Sequence, residues 1–404
     1  MRNLHSTPAG RQDFKPLNLS MATVPKLPLN PLATTSEEEL ATLASSLWGW
    51  SLCAHCTNGH HCCQRQEQCP SNRSKRLHSF FEFYKTLATS YEGNDAGYPA
   101  LRTHEDVLII LDQLKTKPAS PRSKLREALF EDIWRDRPLP PRCDQDSAID
   151  LAVKVMTMVN CSASAHSHGL LEHGAYQVPW RDDVGLDSFM ENILPLTDHP
   201  GLNDTETKMY MDIKPSLMAR KLKKRIGMKV RPTNDLRSHL KIDRRTNTLE
   251  VFHHVAFLKE YLRLTKDHPR HTLVEKSLSL GALPRQLVLE CLDTVQKILF
   301  PLSDAKSRSL LQSLTTRSLF DPDCLRFESA SIRNPDEKDI KYYYFGARLA
   351  GLYDELEHPR PRGWLQKCIE RRSGARYTMM ATLAGVLFAL VLGMAGLAIS
   401  VYQA

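Results

Sequence analysis

The last stretch of the chain constrains it most. From Tyr377 to Ala404 no side chain carries a charge, and YTMMATLAGVLFALVLGMAGLAISVY runs from Tyr377 to Tyr402. As a helix of about 25 residues at roughly 1.5 Å each, it reaches about 38 Å. A bilayer hydrocarbon core is roughly 30 Å thick, so the expectation is one C-terminal transmembrane helix with a little tilt. Lipid offers backbone groups no partners, so a single spanning segment must be helical. Tyr377 and Tyr402 sit at its two ends, where amphipathic rings favour the headgroup layer. A buried core helix is the competing reading, but such helices seldom run this long without a charge.

The flanks give this expected anchor a direction. Arg360, Arg362, Lys367, Arg371, Arg372 and Arg376 precede it, against Glu370, whereas only Gln403 and Ala404 follow Tyr402. The positive-inside rule then places the bulk of the chain in the cytosol, as in a tail-anchored protein. The endoplasmic reticulum and the mitochondrial outer membrane are the organelles such a flank and helix fit. Ala381, Gly385, Ala389 and Gly393 recur every fourth residue. That spacing could let two membrane helices approach closely and form a homodimer through the anchor; the frequency of small residues in membrane helices is the plainer explanation.

The remaining sequence reads as mostly α. Residues 1–35 carry Pro8, Pro16, Pro25, Pro28 and Pro31 with no sustained period, and read as a disordered tail. No apolar run follows the N-terminus, so a secretory signal is not expected, and the ten cysteines read as reduced thiols. Residues 36–74 read as a helix and a Cys/His-rich segment, 75–358 as an irregular multi-helix cytosolic domain, 359–376 as a basic juxtamembrane segment and 377–402 as the anchor. Ser36 and Glu39 have capping-box spacing. Helical spacing of apolar residues predicts helices over 77–88, 103–114, 123–134, 147–159, 186–193, 255–264, 284–300, 303–314 and 339–357. It also predicts one over 205–226, interrupted at Pro215, and the stretch RPLPPRCDQD reads as a break. KID, RRTN and TLEVFH read together as a short β-hairpin at about 239–253.

The strongest cluster of ligand-type side chains is CAHCTNGHHCCQRQEQC. Cys-x2-Cys supplies two zinc thiolates from one tight turn, and Cys53, Cys56, Cys63 and Cys69 could close a tetrahedral structural site. A flexible thiol-rich loop is the plain alternative. The spacing resembles the first two-thirds of a fungal binuclear zinc cluster. Asn72 stands where that family's fifth cysteine would fall, and TNGHHC lacks the family's basic residues. A DNA-binding cluster is therefore not expected.

A second feature is a basic run. Arg220, Lys221, Lys223, Lys224 and Arg225 surround Met218, Leu222 and Ile226 at helical spacing, and Lys229 and Arg231 follow. Such a helix suits contact with anionic lipid, or is the solvated face of a packed helix. Nucleic acid is not expected, because no aromatic interleaving or binding motif accompanies it. Net charge is +8, which permits an acidic partner without requiring one.

Catalytic signatures are weak. Ser303-Asp-Ala-Lys306 has Ser-x-x-Lys spacing without its companion motifs. Asp321-Pro-Asp323 is a lone D-x-D, and His166, His168, Glu172 and His173 lack metalloprotease spacing. The sequence has no P-loop, no G-x-G-x-x-G and no G-x-S-x-G.

Three stretches resemble a large family of uncharacterised filamentous-fungal proteins: RPTNDLRSHLKIDRRTNTLEVFHHVAFLKEYLRL (231–264), LPRQLVLECLDTVQKILFPLSDAKSRSLL (283–311) and YYYFGARLAGLYDELEHPRPRGWLQKCIERRSGARYTMMATLAGVLFALVLG (342–393). The likeness covers roughly residues 75–404 and implies a helical protein with one C-terminal membrane helix. It implies no activity and no functional residues. The resulting expectation is a membrane-tethered, non-enzymatic interaction or scaffold protein. The rivals are an unrecognised enzyme, sought first around Thr233, Asp235, Arg237 and His239, and a membrane-proximal regulator that binds anionic lipid.

Overall fold

The computed structural model describes residues 32–50, 70–91, 98–163, 178–204, 208–317, 320–327, 332–359, 382 and 384–396. They form a mostly helical body around a small mixed sheet. In chain order the helices are α1 (Glu37–Trp48), α2 (Pro70–Arg76), α3 (His78–Ser90), α4 (His104–Thr116), α5 (Arg122–Glu127) and α6 (Arg142–Thr157). Then come α7 (Leu186–Ile193), α8 (Pro200–Asn203), α9 (Lys208–Ser216), α10 (Ala219–Ile226), α11 (Val255–Leu264) and α12 (Val274–Ser279). The series ends with α13 (Arg285–Asp293), α14 (Ala305–Thr316) and α15 (Gly346–Glu357). Helices α5 and α13 each run on into a π-helical turn, Ala128–Ile133 and Thr294–Leu299.

Strand β1 (Cys161–Ser162) pairs in parallel with β2 (Val178–Pro179). The larger sheet has the order β3 (Lys229–Thr233), β5 (Thr248–Phe252), β4 (Ile242–Asp243). The hairpin read from TLEVFH is present as the antiparallel β4–β5 pair. Strand β3 was not legible, because KVRPT carries Pro232. Proline cannot donate to a ladder, and β3 lies at the end of the sheet order, where strands tolerate it. β3 runs parallel to β5, with Thr233 opposite Phe252 at the carboxyl end.

Ser36 and Glu39 close a capping box on α1. The apolar faces of α1, α3 and α11 then meet in an aromatic cluster. Phe80 stacks on Phe257 at 4.9 Å between centroids, and Phe257 meets Tyr261 edge-on at 4.6 Å. Trp48 packs against Phe80 at 5.5 Å. All four side chains are buried, and rings of this kind dominate core energetics through their area.

Three helix starts differ from the sequence reading. Helix α6 begins at Arg142, inside the expected break, because Pro141 precedes it with φ of −55° and Asp144 is anchored. The Asp144 carboxylate accepts from Tyr91 Oη and from the Ala100 amide, both at 2.6 Å. Helix α14 begins at Ala305 and not at 303, because Asp304 caps it by accepting from the Ser307 amide at 2.8 Å. Helix α15 begins at Gly346, seven residues beyond Asp339 in the expected span. The reason is Glu290, whose carboxylate takes the amides of Tyr343, Tyr344 and Phe345 at 2.7, 2.8 and 3.0 Å.

The expected transmembrane anchor is corrected. Among the described residues no helix is long and apolar enough to cross a membrane. Helical backbone is described continuously over 384–396. The integral-membrane partner, the cytosolic orientation, the two organelles and the dimer through a membrane helix all rested on that span. None of them is supported. Val386, Phe388 and Val391 on this stretch are exposed, and Gly385 and Gly393 face open space. Ala381 and the basic segment 360–376 lie outside the described residues.

Candidate functional site

The parallel β3–β5 pair ends at a cleft. In sheets of this kind, ligands bind beyond the carboxyl ends of parallel strands, where the chain leaves the ladder and turns away. Asn234 is the first residue after β3, and His253 and His254 are the first two after β5. One wall comes from α3. His78, Glu82 and Thr86 are spaced i, i+4, i+8 on one helical face, with Ser79 and Phe83 beside them. Thr315, Phe320 and Pro322 supply the opposite wall, and Pro232 completes the lining. The cleft holds about 530 Å³. Small-ligand sites usually enclose roughly 300–1,000 Å³.

Hydrogen bonds fix the protons at its floor. The Asp321 amide donates to His253 Nδ1 at 3.1 Å. That nitrogen is therefore unprotonated, and Nε2 carries the hydrogen of the neutral ring. His253 Nε2 lies 3.1 Å from Asn234 Oδ1 and must donate to it, which orients the carboxamide. His254 Nε2 lies 2.8 Å from the same oxygen and must donate as well. One carboxamide oxygen is thus held by two imidazoles, whose rings pack at 4.1 Å between centroids with a tilt of 32°. Asn234 Nδ2 has no partner among the described residues, and its residue is exposed. His254 Nδ1 is left as a buried acceptor with no partner among the described residues.

Burial keeps both rings neutral. It lowers the His253 pKa to about 4. It holds His254 well below the usual imidazole value, with a smaller contribution from neighbouring His253. Phe83 and Phe252 each pack against His254 at 5.6 Å between centroids, and Phe320 packs against His253 at 5.7 Å. The loop after α14 locks this floor in place. Asp321 accepts from the Ala256 and Asp323 amides, both at 3.0 Å, and so fills the anion-seeking N-terminus of α11. Burial pushes its carboxyl up to about 6. Cys324 Sγ donates to the His253 carbonyl at 3.3 Å.

The residues singled out for an enzyme sit beside this cleft, not in its lining. Asp235 accepts from the Arg237 amide at 3.1 Å and Ser238 Oγ at 3.2 Å. His239 is fully buried. Its Nδ1 accepts from the Phe252 amide at 3.1 Å, and its Nε2 lies 2.6 Å from Thr294 Oγ1. Thr233 Oγ1 accepts from the Asp235 amide at 3.2 Å. His239 thereby fastens the sheet to the π-helical turn that follows α13. The sequence reading passed over Asn234, between Thr233 and Asp235, and ran the hairpin through His253. The available signal was a polar pair directly after a strand, and it needed the parallel partner to acquire meaning.

The other candidates are placed as follows. Cys53, Cys56, Cys63 and Cys69 lie outside the described residues, as do His166, His168, Glu172 and His173. Among the described residues no group of three His, Cys, Asp or Glu is arranged to hold a metal ion; the four expected zinc ligands are not among those residues. In the lone D-x-D, the Asp323 carboxylate pairs with buried Lys259 at 2.5 Å. Of the basic run, Arg220 binds Asp304 at 2.8 Å and Arg225 lies 4.0 Å from Glu357. Lys221, Lys223 and Lys224 have no carboxylate partner among the described residues. No family model, no curated protein and no solved structure matches the chain.

Proposed function

We propose that the chain is a binding protein that takes a small, planar, carbonyl-bearing organic ligand into the cleft beyond β3 and β5. The observation that carries this reading is the Asn234 carboxamide. His253 and His254 hold its oxygen, so this cleft-lining residue has its NH2 group set in orientation and left as a hydrogen-bond donor without a partner among the described residues. A donor whose orientation is set before binding loses little freedom when the ligand arrives. Phe83 and Phe320 offer apolar faces for a ring, and Ser79, Thr86 and Thr315 supply hydroxyls. Proton-transfer catalysis favours a group whose pKa lies near the working pH. Both imidazoles are held neutral with their protons committed to Asn234, an arrangement that suits binding better than turnover.

Saturation-transfer NMR with benzamide as the probe tests the reading. The ring protons should receive saturation from the wild-type chain, and much less from Asn234→Ala or Phe83→Ala. Absence of transfer to benzamide at millimolar concentration, or equal transfer from all three proteins, would count against it.

A further inference from the structure

A second surface, on the far end of β3 from the cleft, gathers charge from three separate segments. Helix α10 closes at Gly227 with φ of +63°, a left-handed turn that glycine adopts without strain. The tip of the β4–β5 hairpin is fastened there. Asn247 Nδ2 donates to the Ile226 carbonyl at 2.8 Å, and the Lys229 amide donates to the Asn247 carbonyl at 2.9 Å. Local hydrogen bonds close the hairpin tip on itself. Asp243 Oδ1 accepts from the Arg245 amide at 2.9 Å, and Asp243 Oδ2 from Thr246 Oγ1 at 2.6 Å. The last turn of α10, the start of β3 and the hairpin tip therefore share one face. Lys223, Lys224, Lys229, Arg244 and Arg245 are exposed on it.

Carboxylates do not balance this face. Arg220, Arg225 and Arg231 at its border are met by Asp304, Glu357 and Glu250. Asp243 is committed to its own turn. The five exposed cations have no carboxylate partner among the described residues. The pull of a helix C-terminus accounts for basic residues in the last turn of α10. It does not account for Lys229, Arg244 or Arg245, which belong to other elements.

We infer that this face docks an acidic, Asp/Glu-rich segment of a partner protein. Charge complementarity requires an anion, and the stereochemistry on the page is carboxylate: every bordering arginine already takes one from its own chain. The apolar residues of α10, Ala219 and Leu222, are buried in the body, so the helix has no free apolar face to insert into lipid. Lys223, Lys224, Lys229, Arg244 and Arg245 are accompanied by no exposed aromatic ring on these segments for stacking bases.

Fluorescence anisotropy with the full-length chain and a labelled peptide of alternating glutamate and serine tests the inference. Binding should weaken with salt and fall about tenfold or more in K223E/K224E/R244E/R245E. The pair R244E/R245E alone, at the hairpin tip, should show a smaller loss with an unchanged circular-dichroism melt. K117E/K124E, two exposed lysines elsewhere with half the charge change, should leave affinity within about twofold. No binding, or losses that follow net charge alone and not position, overturn the inference. It is also overturned if a thymidine oligonucleotide or phosphatidylserine vesicles bind through the same residues while the glutamate peptide does not.

Discussion

Arg285 and Glu337 form a two-point ion pair sealed from solvent. Nε meets Oε1 at 2.6 Å and Nη2 meets Oε2 at 2.7 Å, with Arg285 at 1% exposure and Glu337 at 0%. The remaining guanidinium hydrogens go to the carbonyls of Leu262 and Ile332 and to Thr265 Oγ1, at 2.7, 2.9 and 3.1 Å. Glu337 in turn accepts from the Asn334 amide at 2.9 Å. One arginine therefore ties the end of α11, the start of α13 and the 332–337 turn together. Desolvating both charges is costly, and completed hydrogen bonding makes the arrangement tolerable.

Glu337→Ala leaves that guanidinium buried without its anion. The expected cost is about 3–5 kcal/mol, read as a fall in the urea midpoint. The double variant Arg285→Met/Glu337→Leu should be less damaging than Glu337→Ala, since no isolated charge remains. A double variant as unstable as the single one would show that packing, and not the charge, sets the loss.

Glu290 predicts a pH dependence. Burial raises its pKa from 4.5 to about 7, although Gln286 and the amides of Phe345, Tyr343 and Tyr344 pull the other way. Between those values the folded state holds a proton that the unfolded chain releases. The contribution is fully present below the unfolded value and is lost as pH rises through about 7. The span corresponds to roughly 3 kcal/mol. Glu290→Gln imitates the protonated side chain and has no proton to lose. Urea midpoints of the two proteins at pH 5 and pH 8 should show the variant gaining on wild type at the higher pH. A difference between them that stays constant with pH would refute the assignment.

Ser36→Ala should cost about 1 kcal/mol through the loss of one cap on α1. Ser36 Oγ accepts from the Glu39 amide at 3.2 Å, and the Ser36 amide donates to Glu39. Ser36→Asp keeps an acceptor in the same place and should recover most of the melting temperature. Equal losses in both variants would mean that the cap is idle.

Local signals in the sequence translated well where they were complete in themselves. The Ser36–Glu39 box, the 186–193 helix and the 255–264 helix stand at or close to the expected residues. Signals that needed a distant partner did not. The start of α15 depends on Glu290, more than fifty residues upstream, whose carboxylate competes for the amides of 343–345. Strand β3 exists because β5 pairs with it, and nothing in KVRPT announces a parallel neighbour. The cleft shares this dependence: Asn234 and His253 are nineteen residues apart in sequence and meet only through that pairing. The apolar C-terminal run misled for the opposite reason. Its composition suits a membrane, but among the described residues no helix is long and apolar enough to cross one.

The cleft itself offers the sharpest substitution. Asn234→Asp keeps an oxygen where Oδ1 now accepts from both imidazoles at 3.1 and 2.8 Å, so the floor keeps its geometry. It replaces the outward NH2 donor with a second acceptor. A carbonyl ligand would then face an oxygen where it needs a hydrogen, a mismatch worth about 1–3 kcal/mol. Benzamide affinity should therefore fall about tenfold or more, while the melting temperature stays close to wild type. The added negative charge should also raise the pKa of His253 from about 4, toward the ordinary imidazole range. NMR titration of the imidazole protons measures that shift directly. Unchanged affinity together with a raised His253 pKa would place the ligand's polar contact elsewhere in the cleft and remove the donor role from Asn234.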